Sequence, residues 1–395
     1  MIMLYCRRTL GTLLLGAATV GLGVNASVAI AQVAVSANDN KLVLVNGVAT
    51  VQQNPAPDTV AIIDLKEFPP KIMAEIEAPA SVFGPPLSVA ITPDESLALV
   101  TAAMKINPHD PTKQVPDNRL SVIDLKASPP VLIATLETGK GPAGLSINRQ
   151  GTLALVANRS EGTVSVFSLS GKDVKNVGTV PVGDEKTGVS HVAISPDGKT
   201  ALVTRDGDSM VSVLTIDGTK VEYTKRDLTV GMRPYGMAIT ADGTVAVVAN
   251  IGRGSGDNDT VSVIDMTANP VRTVDTITVG QTPEGLNVSL DGKLCAVVIM
   301  NGSNKPKDSP FYADHGKVLV YRVEQKKLTK LAEAPIGHWS QGVAFTPNNQ
   351  YVLVQNMVEK DIMIFKLAGD KLEDTGQRLK MKGGPAALRT AEKPL

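Results

Sequence analysis

One pattern repeats along almost the whole chain and limits what it can become. Between Thr229 and Met266 come an apolar run, an Asp-Gly turn, a second run ending in Val-Ala-Asn, a variable loop and a third run, Thr-Val-Ser-Val-Ile-Asp. The third residue of its Pro-x-Gly-x-Ala-Ile phrase recurs at Ser88, Gly144, His191, Gly236, Gly285 and Gly342. The intervals are 56, 47, 45, 49 and 57 residues, and Ala387 follows after another 45 with no complete unit behind it. This is the length of a four-stranded propeller blade, stretched by insertions at one place in the unit.

The two ends of the chain each lack what the other has. Before Ser88 lie KLVLVNG (41–47), TVAIIDL (59–65) and KIMAEIEAP (71–79), which read as the second, third and fourth strands of a blade without a first. Gly384–Thr390 supplies that first strand, expected beside Lys41–Val45, and so removes the exposed sheet edges. The expected fold is therefore all-β, a seven-bladed propeller of four-stranded antiparallel blades over 41–390. A lead-in over 32–40 and a tail over 391–395 complete the division. A dinucleotide-binding α/β fold is excluded: no helix-length amphipathic segment separates the strands, and IGRGSG is not followed by a helix. A β-sandwich is the competing all-β reading.

Within each unit, small residues alternate along the first strand, as in Gly144/Ser146 and Gly236/Ala238, where space narrows near the axis. Runs such as YVLV and AVV suit sheets covered on both faces. ITPDES, ISPDGK and ITADGT form the turns between first and second strands.

Arg7 and Arg8 precede an uncharged run over Thr9–Val24, and Ala29-Ile30-Ala31 offers small residues for cleavage. Residues 1–31 thus read as an export signal cut after Ala31, placing the protein in the periplasm or outside the cell. The rival is a membrane anchor, disfavoured because the run is short and broken by glycine. Without this segment only Cys295 remains, inside LCAVVIM, so no intrachain disulfide forms. The full chain balances 39 basic against 39 acidic residues, with 3% aromatics and no basic block. A nucleic-acid surface is excluded on that pattern. The expected partner is a small ligand or an envelope protein, met by a monomer with no lasting membrane anchor.

Topology sorts the loops. The Pro-Asp-Gly turns share one end of the propeller. The insertions Ala102–Asn118, Ile251–Asp259 and Asn301–His315 share the other with the blade-to-blade connections. On this loop-rich face fall Arg233, Tyr235, Phe311, Tyr312, His338, Trp339 and Gln341, the candidate ligand- or partner-binding residues. His191 replaces the small residue of the repeat, and Glu284 and Arg205 are candidates to join it at the central opening. In an enzyme, His191 or Glu284 would act as general base and Arg205 or Arg233 would stabilise oxyanion charge. A hydrated channel with satisfied strand ends is the plainer reading of the same residues. No Gly-x-Ser-x-Gly elbow and no Cys-x-x-Cys-His haem motif occurs. Metal spacing is lacking at Asp257-Asn258-Asp259, so neither metal nor cofactor is expected.

VANRSEGTVSVFSL, VANIGRGSGDNDTVSVIDM and PVGDEKTGVSHVAISPDGKTALVT resemble exported YVTN-type β-propeller repeats, over roughly Lys41 to Thr390. Val-Ala-Asn stands at 156–158 and 248–250 and becomes Val-Thr-Arg at 203–205. The resemblance implies a seven-bladed fold and a distant relation to seven-bladed lactonase-type proteins, without a catalytic motif to carry over. The leading expectation is a non-catalytic binding protein using the loop-rich face. The alternative is a lactone-hydrolysing or ring-closing enzyme acting at the central opening.

Overall fold

The structure is a computed structural model that describes residues 1–2 and 32–393. The expected export segment lies outside the described residues except for its first two positions. Seven four-stranded antiparallel sheets form the propeller. From the axis outward, blade one is built from Gly384–Thr390, Val33–Asp39, Thr59–Asp64 and Lys71–Glu77. Blades two to seven follow in chain order, with inner strands Val89–Ile91, Pro142–Ile147, Val189–Ile194, Pro234–Ile239, Pro283–Val288 and Ser340–Phe345.

The C-terminal strand closes the ring as expected, but against a different partner. It pairs with Val33–Asp39, from Ala34 opposite Thr390 to Asp39 opposite Gly384. Leu42–Val45 instead folds back on Val48–Val51 as a separate hairpin. The cause is readable in the chain: Asn46-Gly47 holds two consecutive positive φ angles, 48° and 76°. That backbone is the tight turn that reverses a strand at once. The stretch 32–40 therefore carries a blade strand rather than a lead-in.

Each interface between adjacent blades holds one apolar cluster, because both faces of nearly every sheet are covered. Leu155, Val166, Val192 and Val203 fill the space between blades three and four. Ala34, Ile63, Leu353 and Leu388 fill the last gap, between blades seven and one. Cys295 is one such side chain, fully buried between blades five and six.

The repeated Asn at the end of the second strand is a strut. Asn158 Nδ2 donates to Thr163 Oγ1 and Ser165 Oγ, both at 2.9 Å. Asn250 does the same to Thr260 and Ser262 at 3.1 and 3.0 Å. Buried polar side chains need such partners, so the motif is structural.

At the start of five inner strands the ladder slips. Pro142 faces Asn158 but Leu145 faces Val156, and blades five, six and seven repeat the same shift. Blade four slips between Val189 and His191. Each bulge frees the residue after the first paired position and re-aims it. Ala143, Ser190, Tyr235, Glu284 and Gln341 are those residues, and they ring the axis at its loop-rich end.

Candidate active site

A cavity of about 1040 Å³ opens on the loop-rich face over blades three to five. Its wall carries Lys140, Arg159, Lys186, Arg233 and Arg253 against Asp206 and Glu185. Five cations facing two carboxylates give the cavity a net positive lining, the charge that would suit an anion.

Asp206 organises its floor. It sits 2% exposed at the end of the second strand of blade four, next to the residue that replaces the repeated Asn. Its Oδ2 accepts from Arg159 Nη2 at 2.6 Å and from Arg233 Nη2 at 3.0 Å. Arg159 also donates to Ser190 Oγ and lies over the rings of Phe83 and Tyr235, 5.4 and 5.5 Å from their centroids. Burial opposes the Arg159 charge, but Tyr235 and Asp206 outweigh it and raise its pKa. Arg233 is fixed by a left-handed backbone (φ 55°) and by Nη1 donating to Gly252 O at 3.3 Å.

Beside this cluster stands Glu284, 8% exposed. Burial pushes its carboxyl up to about 8, with Arg233 only partly offsetting the effect. The group is therefore mostly protonated at neutral pH and can donate a proton. Tyr235, its neighbour in the ring, is buried and has its phenol raised by desolvation, so it stays neutral.

The other half of the face is strapped down. A Cβ on Gly47, at the tip of the blade-one hairpin, would overlap the Lys305–Pro306 backbone of the blade-six insertion. That insertion in turn holds blade five: Lys305 Nζ donates to Gly254 O at 2.7 Å, and Phe311 packs where a Gly256 side chain would stand. Hairpin 42–51 and loops 301–315 and 251–259 thus make one continuous band, leaving the crescent over blades three to five open.

This geometry divides the residues expected from sequence. Arg233, Tyr235 and Glu284 come together, Arg233 in the cavity wall and the other two buried beside it. Arg205 does not join them. It takes the register position of the structural Asn and points to the third and fourth strands, bonding Ser212, Tyr223, Asp227 and Asp208. His191 is buried against Gly144, whose missing side chain makes its room, and its Nδ1 has no partner. Desolvation, then the Arg389 charge, hold it well below the usual imidazole range, so it is neutral and set below the floor. Leu87 comes within 3.5 Å of where a Gly236 side chain would begin.

The aromatic and histidine candidates serve the band. His338 Nδ1 lies 2.6 Å from Glu359 Oε1, and Tyr312 donates to Asp314 at 2.8 Å. Trp339 packs with Leu42, Val82, Met357 and Ala386, while Gln341 is buried with Nε2 3.4 Å from Trp339 O. Phe311 is the clasp on Gly256. Arg159 and Asp206 are the functional candidates that sequence reasoning missed. The available signal was the unlike pair of residues after Val-Ala-Asn and Val-Thr-Arg in consecutive repeats.

Comparison with known proteins agrees with this architecture. The family profile "Lactonase, 7-bladed beta-propeller" matches residues 124–283, which include Arg159, Asp206 and Arg233 and stop one residue short of Glu284. No curated protein matches the chain by sequence. Among solved structures, a candidate 6-phosphogluconolactonase from Bacteroides fragilis superposes with TM-score 0.68 at 18% identity, covering 91% of this chain and 98% of that one. The periplasmic gluconolactonase of Pseudomonas aeruginosa gives 0.67 at 19%, covering 92% and 99%. A functionally unknown protein from Desulfotomaculum acetoxidans gives 0.66 at 17%, again covering 92% and 99%. The chain is a seven-bladed β-propeller similar to the lactonase-type propellers.

Proposed function

We propose that the protein is a hydrolase that opens the ring of an anionic sugar-acid lactone in the cavity over blades three to five. The observation that carries this reading is Glu284, a buried carboxyl raised to about 8 next to Arg233, which lines a cavity walled by five cations. A merely structural carboxylate would be paired and ionised; this one is kept as an acid by burial, although Arg233 stands near it.

The chemistry follows from the positions. Lys140, Lys186 and Arg253 hold the substrate's negative group near the rim. Water attacks the acyl carbon, and the oxyanion that develops is met by Arg233 and Arg159, which Asp206 holds in place. The ring oxygen leaves as a hydroxyl with the proton of Glu284, and the surplus proton of the attacking water restores it. The open-chain product is a carboxylic acid that releases its proton to solvent, and the same arginines receive the carboxylate.

The fold relatives named for gluconolactone chemistry support this reading, as does the family profile over the segment that supplies the arginines. It differs from simple capture by the loops 102–118 and 301–315, the second of which is engaged in the band. The export signal read from residues 1–31 would put this activity outside the cytoplasm, in a monomer. The test is turnover of glucono-δ-lactone and its 6-phosphate at pH 6.5, corrected for spontaneous opening. Glu284→Gln should lower kcat at least a hundredfold with little change in substrate binding; equal turnover by both proteins would overturn the proposal.

A further inference from the structure

At the opposite end of the axis, where the inner strands run out into the Pro-Asp-Gly turns, lies a much smaller, partly open cavity of about 30 Å³. Four blades meet around it: Arg149 comes from blade three, Ile239 and Ala241 from five, Val288 from six and Arg389 from one. A space of this size takes one water-sized species and no organic ligand.

Arg389 is the residue that needs explaining. It is 6% exposed, its Nη2 donates to Glu392, and its Nη1 is buried with no acceptor. A buried guanidinium donor left without a partner costs free energy, so a buried site of this kind selects an acceptor. The second guanidinium, Arg149, reaches across the axis and gives Nη1 to Ala241 O at 2.7 Å. The charge count is unequal: Arg149, Arg389 and Lys393 line the cavity with Glu392 alone, and Lys393 lies 3.7 Å from Glu95. The aliphatic part of the wall, Ile239 and Val288, favours a weakly hydrated ion over a strongly hydrated one.

We propose that this cavity is a binding site for a single monatomic halide, chloride or bromide, held by Arg389 Nη1 and the charge of Arg149. The ion joins blades one, three and five at the axis and neutralises the charge that Arg389 projects toward His191. It is separate from the cationic cavity on the other face and does not depend on the activity proposed for that cavity.

The site can be tested by chloride NMR and by melting. In the wild type, the 35Cl linewidth should show a saturable excess that bromide competes away, and the Tm should rise as bromide replaces methanesulfonate at constant ionic strength. Methanesulfonate is too large for the cavity and serves as the reference anion. Arg389→Met should abolish this component, and Arg149→Met should weaken it at least tenfold, which covers the case in which the first variant does not fold. Arg233→Met, at the other end of the axis, should retain it and so distinguishes halide held by the large cavity. A wild-type Tm that is the same in bromide and methanesulfonate, or halide broadening lost in Arg233→Met but kept in Arg389→Met and Arg149→Met, would overturn the proposal.

Discussion

Arg159 and Arg233 share one oxygen of Asp206, at 2.6 and 3.0 Å, although they belong to blades three and five and the carboxylate stands on blade four between them. A like-charged pair is thus held together by one intervening anion, and the positive field over the cavity depends on it. Asp206→Ala should release both guanidiniums and cost about 2–4 kcal/mol in urea unfolding. The lower end allows for Arg233, whose side chain is 39% exposed and partly solvated. Lactone turnover should fall with it.

Arg205 provides the opposite case. Its bonds run outward to Ser212 and Asp227, away from the cavity. Arg205→Ala should therefore leave kcat/KM within about twofold, while Arg159→Ala and Arg233→Ala each lose roughly a hundredfold or more. Steady-state kinetics on the three purified variants decides the assignment.

Glu284 ties activity and stability to pH. Its folded pKa, about 8, is above that of a free carboxyl, so between about pH 4.5 and 8 the folded state holds a proton that the unfolded state has lost. The contribution is fully present below the unfolded pKa and is lost as pH rises through 8. The wild type should therefore lose stability across that window, by a few kcal/mol at most. Glu284→Gln should flatten the dependence and melt higher than wild type at pH 8. Acid-catalysed turnover follows the folded group alone, so it should hold through that window and decline only as pH rises through about 8.

Gly47 clasps the band. Its φ of 76° and the Lys305–Pro306 backbone against it leave no space for a side chain. Gly47→Val should detach the hairpin tip, costing about 1–3 kcal/mol through strain and lost packing. Limited proteolysis should then cut within 301–315 earlier than in the wild type, with the blades intact.

Much of the architecture was legible because it repeats. Gly144, Gly236, Gly285 and Gly342 mark inner strands by a backbone requirement common to all blades, and the Ser/Thr-x-Asp turns mark one face. The partner of the closing strand was not, because VAVSAND and LVLV both alternate suitably; the choice turned on Asn46-Gly47 reversing the chain after only four residues. The site was half legible. Glu284, Tyr235 and Arg233 flank inner-strand starts, where a bulge turns the side chain inward. Arg159 follows the last residue of one second strand and Arg205 is the last residue of the next, in similar phrases, yet one faces the cavity and the other the outer strands. A single residue of offset relative to the structural Asn decides this, and no local propensity records it. His191 looked accessible from its position; Gly144 opposite gives it room to be buried instead.

The pairing of Val33–Asp39 with Gly384–Thr390 joins segments about 350 residues apart. The first sheet to leave the ribosome is consequently the last to be finished, and until then an open edge waits beside a nearly complete disc. Sealing it converts a row of blades into a hoop, in which no blade can peel away without two interfaces parting together. Resistance to opening should then reside in that seam: trimming the final strand should shorten the lifetime of the folded state far more than an equal deletion in any outer strand.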